Sequence, residues 1–322
     1  MAYSCLSWRP NDVPPGRPPR TESRRPHGEK RIAVDFFTAL TEYTYLQRAL
    51  VTAVVVGALC GTVGAFAVLR GLALMGDAIS HAVLPGIAAS FAMGISFVPG
   101  ALVAGLLSAA GIGYVQQHSR LRADVAIGIV FTAMFALGVV LMTVFPSGTD
   151  LTKILFGNVL AVRPAELWST VGVAAVVVLT ILALFKELQV SSFDPVMAAA
   201  YGLPVTKLHY LVMTLLTVTT VVSLQTVGVV LVVAMLVTPA ATAYLLTEHL
   251  GRMIAASALT GSISALLGLY ASYRFNLPSG AVIVLAGAAL FIAALLFAPR
   301  QGVVTGRLTA RRGRARSATA SV

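Results

Sequence analysis

Charged residues are scarce in this 322-residue sequence, at 11% against about 25% in an ordinary soluble domain. Acids are rarest, twelve in all. The two cysteines, Cys5 and Cys60, stand too far apart for a disulfide framework or a thiolate metal site. There is no GxxxxGK[ST] phosphate loop, so the chain does not hydrolyse ATP by that route. There is no HExxH either, which disfavours an intramembrane zinc protease. Ser80 beside His81 offers no serine dyad, because adjacent helical residues point about 100° apart. No aromatic residue is interleaved with the basic ends, which argues against nucleic acid as a partner.

What is present is apolar. Hydrophobic residues make up 57%, and the mean hydropathy is +0.87. Apolar runs fall near 46–69, 72–93, 97–117, 125–145, 169–188, 205–222, 226–246, 253–272 and 279–297. Each is close to the roughly 20 residues that a membrane-spanning helix needs. The expectation is an all-α polytopic membrane protein surrounded by lipid, with eight to nine transmembrane helices. Its domain covers 36–299, between a basic Pro/Arg-rich tail (1–35), expected to be disordered, and a basic cytoplasmic tail (300–322). The net charge of +11 comes mostly from these ends, with seven Lys/Arg before Phe36 and six from Arg300 onward.

Basic residues also set sidedness. Arg120 and Arg122 place the connector 118–124 in the cytoplasm, and Lys186 and the EHLGR segment (248–252) agree. The link Pro146–Trp168 then lies outside, and its ILFGNVLAV (154–162) is apolar but too short to span. Counting back, nine spans put the basic N-terminus outside. Eight spans plus one re-entrant run near Pro85 put both ends inside.

One stretch carries chemistry, GLALMGDAISHAVLPGIAASFAMG (71–94). Asp77 and His81 are four residues apart, on one face of a helix. A carboxylate near the bilayer centre costs roughly 2.5–3.5 kcal/mol on the insertion scale, so something must return that cost. Pro85 lacks the N–H that would bond the His81 carbonyl, which predicts a kinked or broken helix there. By elimination the pair stands alone among acids and histidines inside spans. A divalent cation, a proton path, or a structural contact of Asp77 with His81 or Arg70 each fits. One Asp and one His are half of a tetrahedral site, which a two-fold homodimer would complete. Carboxylate plus imidazole suits zinc or manganese, with iron as a further option; none is expected to be bound permanently.

The cytoplasmic link SSFDPVMAAAYGLPV (191–205) predicts a short helix. Asp194 caps it, Pro195 opens it, and Gly202 and Pro204 close it. In the later spans, Gln225 and Pro239 are candidates for the pathway or for a helix kink.

Five blocks, LRGLALMGDAISHAVLPG (69–86), DLTKILFGNVLAV (150–162), SFDPVMAAAYGLPV (192–205), LQTVGVVLVVAMLVTPAATA (224–243) and LPSGAVIVLAGA (277–288), closely resemble the membrane permeases of zinc/manganese/iron ABC importers. They run in that family's order across about 45–298. The resemblance implies ABC importer permease architecture in a bacterial cell membrane, and a transport role with no enzymatic activity of the chain's own. It implies a homodimer served by cytosolic ABC ATPase subunits and an extracytoplasmic metal-binding protein. It also implies that Asp77 and His81 coordinate the ion and that Asp194–Pro204 couples to the ATPase. The family often has two basic residues where this chain has Arg70–Gly71. The rival expectation is a proton-coupled secondary carrier, with Asp77 and His81 as its relay.

Overall fold

The structure is a computed structural model that describes residues 43–144 and 162–297. The two tails and nearly all of the 154–162 segment lie outside the described residues.

Twelve helices make up the described chain: α1 (Thr44–Leu69), α2 (Ala73–Ala82), α3 (Leu84–Ala92), α4 (Phe97–His118), α5 (Ala123–Val144), α6 (Pro164–Ala183), α7 (Phe185–Phe193), α8 (Pro195–Ala200), α9 (Val205–Val227), α10 (Val229–Leu246), α11 (Leu250–Phe275) and α12 (Ser279–Phe297). Counting α2 and α3 as one interrupted crossing, nine segments among the described residues are long and apolar enough to span a bilayer. α6 begins five residues before the apolar run does. Pro164 starts it, and the Glu166 carboxylate accepts the Arg163 N–H at 3.1 Å.

α1 is the hub, packing against α11, α10, α9 and α6. Between helices in lipid, close packing depends on small residues. A Cβ on Gly57 would sit 2.6 Å from the Gly261 carbonyl oxygen, so here the α1 and α11 backbones touch. Ser257 Oγ donates across the same seam to the Gly61 carbonyl at 2.7 Å. α5, α6 and α12 are the least buried spans.

These contacts fix the direction of each helix. Arg70, just past α1, bonds the Leu208 carbonyl near the start of α9, while Cys60, farther back in α1, meets Ser223, farther along α9. α9 is therefore antiparallel to α1. Ala243, near the end of α10, clusters with Ala65 and Met253 at the Arg70 end, so α10 returns. Gly113 in α4 faces Tyr210 and Met213, and Gly86 in α3 faces Gly100 near the start of α4. The segment around Pro85 therefore crosses from one end of the bundle to the other and is not re-entrant. Nine alternating segments put Tyr43 and Phe297 at opposite ends. The end with Arg70, Arg120, Arg122, Lys186 and Arg252 is the cytoplasmic one by its charge.

Candidate functional site

α2 starts at a tight corner. Gly71, at φ +67°, is the left-handed residue that ends α1, with Gly71 N–H on the Val68 carbonyl and Leu72 N–H on that of Ala67. A side chain at Gly71 would strain this backbone. After ten residues of α2 the helix is interrupted at Val83, because Pro85 offers no N–H to the His81 carbonyl. Pro85 itself is buried, against Gly138 of α5.

On α2, Met75, Ile79 and Ser80 face the bundle, with Ser80 Oγ donating to the Gly76 carbonyl at 2.8 Å. Leu74, Asp77 and His81 occupy the outward stripe. The Asp77 side chain is 51% exposed and that of His81 28%. Asp77 Oδ1 and His81 Nε2 are 3.7 Å apart, too far for a hydrogen bond. Both groups therefore keep free lone pairs on a surface level with the bundle interior. Two aromatic rings from α5 hold the imidazole in place. Phe131 and Phe135 each lie 5.9 Å from it between ring centroids, Phe135 edge-on at 89°. Sequence reasoning missed these two; the only signal was their four-residue spacing. Among the described residues no three of His, Cys, Asp and Glu gather to hold a metal.

Arg70 is turned away to other partners, which removes its pairing with Asp77 from the alternatives. Its guanidinium donates to Ser192 Oγ at 3.0 Å, Ser191 Oγ at 2.7 Å and the Leu208 carbonyl at 3.4 Å. Burial lowers its pKa to about 10, which leaves it charged at neutral pH. The remaining described histidines lie elsewhere: His118 stacks on Tyr114, His209 Nε2 lies 3.2 Å from Gln116 Oε1, and His249 precedes α11.

The 191–205 link holds the end of α7 (Phe185–Phe193) and the whole of α8. Asp194 Oδ1 accepts the Met197 N–H at 2.9 Å and Pro195 opens α8. Gly202, at φ +78°, closes it, and the Pro204 carbonyl accepts the Leu208 N–H of α9. Ala198 is buried, whereas Phe193, Val196, Met197 and Tyr201 are exposed apolar side chains. Gln225 is half-buried beside the Gly228 break between α9 and α10. Pro239 is buried within α10, which runs through it without interruption.

Residues 42–298 match the model of the ABC 3 transport family. The manganese transport system membrane protein MntC of Listeria monocytogenes is 56% identical over 269 residues, 84% of this chain and 96% of that one. The manganese import system permease protein ScaB of Streptococcus gordonii is 48% identical, over 83% of this chain and 96% of its own. A solved structure of PsaBC from Streptococcus pneumoniae in complex with Fab superposes with a TM-score of 0.75 at 48% identity, covering 83% of this chain and 97% of that one. The chain belongs to the ABC 3 transport family, as a multi-pass bacterial membrane permease whose ATP hydrolysis is done by a separate subunit.

Proposed function

We propose that this permease carries Mn²⁺ into the cytoplasm as a homodimer, with Asp77 and His81 of each copy forming the transient site for the ion. The observation that carries the reading is the Asp77/His81 stripe. A carboxylate half-exposed on the flank of a lipid-embedded bundle is too costly to face hydrocarbon. A second copy facing it across a two-fold axis removes it from lipid and doubles the donor set to two carboxylates and two imidazoles. Two ligands at roughly 2.1 Å on a tetrahedral ion stand about 3.4 Å apart. The observed 3.7 Å therefore needs little adjustment. Oxygen and imidazole donors suit Mn²⁺ as they suit Zn²⁺ and Fe²⁺, and the named relatives favour Mn²⁺.

The α8 helix, with Val196, Met197 and Tyr201 outward, seats in the cytosolic ATPase subunit. An extracytoplasmic metal-binding protein delivers the ion at the opposite end of the bundle. ATP-driven closure of the ATPase subunits moves α8, and the spans alternate between outward and inward access.

The test is uptake of radiolabelled Mn²⁺ into proteoliposomes holding permease, ATPase and binding protein, with unlabelled Zn²⁺ and Fe²⁺ as competitors. The expected result is ATP-dependent Mn²⁺ uptake, with the other cations competing weakly. Uptake driven by a pH gradient without ATP would instead identify the proton-coupled carrier. Preferential uptake of Zn²⁺ or Fe²⁺ would overturn the choice of metal.

A further inference from the structure

Arg70 occupies an unusual junction. It is the last residue before the corner that launches α2, and its side chain bonds two serines of α7 and a carbonyl of α9. These partners lie more than a hundred residues away in sequence, in the segment that leads into and out of α8. The corner is stiff, because both bonds of the Gly71 turn are made. At its other end α2 is uncoupled from α3, since the ladder is broken between His81 and Pro85. α2 is thus a short rigid lever, gripped at Arg70, jointed at Val83, with Asp77 and His81 between.

The grip is also releasable. All three acceptors are neutral oxygens, so no desolvated ion pair has to be broken to open it. Beside the guanidinium lies a cavity of about 510 Å³, lined by Arg70, Gln116, Ser191, Ser192, Pro195 and His209 among others. Water in that space offers Arg70 a second set of partners when α7 and α8 shift. Pro195, the first residue of α8, is part of the wall.

We propose that Arg70 is the positioning residue that ties the α7–α8 segment to α2, so that displacement of α8 moves Asp77 and His81. This rests on the reading above that α8 seats in the ATPase. The fork of the guanidinium matters as well as its charge, because two N–H groups must reach adjacent serines at once.

The experiment measures Mn²⁺ uptake and ATP hydrolysis in the same proteoliposomes with the complete complex. Arg70→Gln is expected to lower uptake per ATP hydrolysed about tenfold, with complex yield and hydrolysis close to the parent. Arg70→Lys, which keeps the charge and loses the fork, should be intermediate. The double variant Ser191→Ala/Ser192→Ala removes the serine acceptors and leaves the arginine. It should uncouple similarly, and combining it with Arg70→Gln should add little. Of the three acceptors it leaves only the Leu208 carbonyl, and it keeps the test open if Arg70→Gln fails to fold. A parental ratio of uptake to hydrolysis in these variants overturns the proposal. So does a parallel fall in yield, hydrolysis and uptake, which marks a purely structural role. The underlying reading fails separately, if Val196→Asp leaves the ATPase bound or the parent complex moves no metal.

Discussion

Asp77 and His81 stand out in the sequence because the spans of this chain contain almost nothing else that ionises. Elimination works where charge is scarce, since each charge within a span needs a cause. Elimination says nothing of the neutral partners. Phe131 and Phe135 read as ordinary apolar residues of a span until α5 packs against α2 and sets both rings against the imidazole. Arg70 was a candidate partner for Asp77, and the fold turns it toward α7 and α9. Removing one of the two proposed metal donors should cost at least roughly 10–100-fold, the scale seen for lost outer-shell support. Asp77→Asn and His81→Ala are each expected to lower Mn²⁺ uptake by that much, while circular dichroism and recovery with the ATPase stay unchanged. Parental uptake by both variants would remove the site.

Among the helices, the clearest dependence is the α1–α11 seam. A Cβ at Gly61 would lie 2.5 Å from the Ser257 carbonyl oxygen, backbone against backbone, so no side chain can rotate away to make room. Overpacking of this kind costs about 1–3 kcal/mol. Gly61→Val is expected to lower the melting temperature in detergent, where a change at exposed Gly172 should not. α8 depends on its cap in a different way. Six residues cannot sustain a helix alone, and Asp194 supplies the bond to Met197 N–H. Loss of an N-cap costs about 1 kcal/mol. Asp194→Ala should therefore speed hydrogen exchange across Pro195–Tyr201 and weaken retention of the ATPase on affinity-purified permease, without changing the global melting temperature. The start and stop of α8 were readable in Asp194, Pro195 and Gly202. α7 was not foreseen, because Phe185–Phe193 carries no comparable punctuation.

In the whole molecule, the proposed two-fold seam runs along the outward stripe of α2. Leu74 is exposed beside Asp77 on that stripe, which places it at the proposed two-fold seam. In a background of Cys5→Ser and Cys60→Ala, Leu74→Cys is expected to form an intermolecular disulfide on mild oxidation, seen as a dimer band that reductant removes. A disulfide needs Cα atoms within about 7 Å, so Tyr270→Cys, on α11, serves as the control that should not cross-link. Monomer throughout would move the seam away from α2. Direction also emerged at this level. Composition allowed eight or nine crossings, and the contacts of α3, α4 and α9 make the Pro85 segment a full crossing, the ninth among the described residues.

Hydropathy and the scarcity of charge were enough to give a helical membrane protein, its approximate spans and the one Asp/His pair within them. Those properties follow from the local free energy of placing each residue in lipid, which depends on little beyond the residue and its near neighbours. The course of the Pro85 segment, the aromatic seat of His81 and the grip of Arg70 on α7 and α9 required the folded chain. Each is a contact between segments distant in sequence, settled by which small residues let helices approach, and no local preference encodes it.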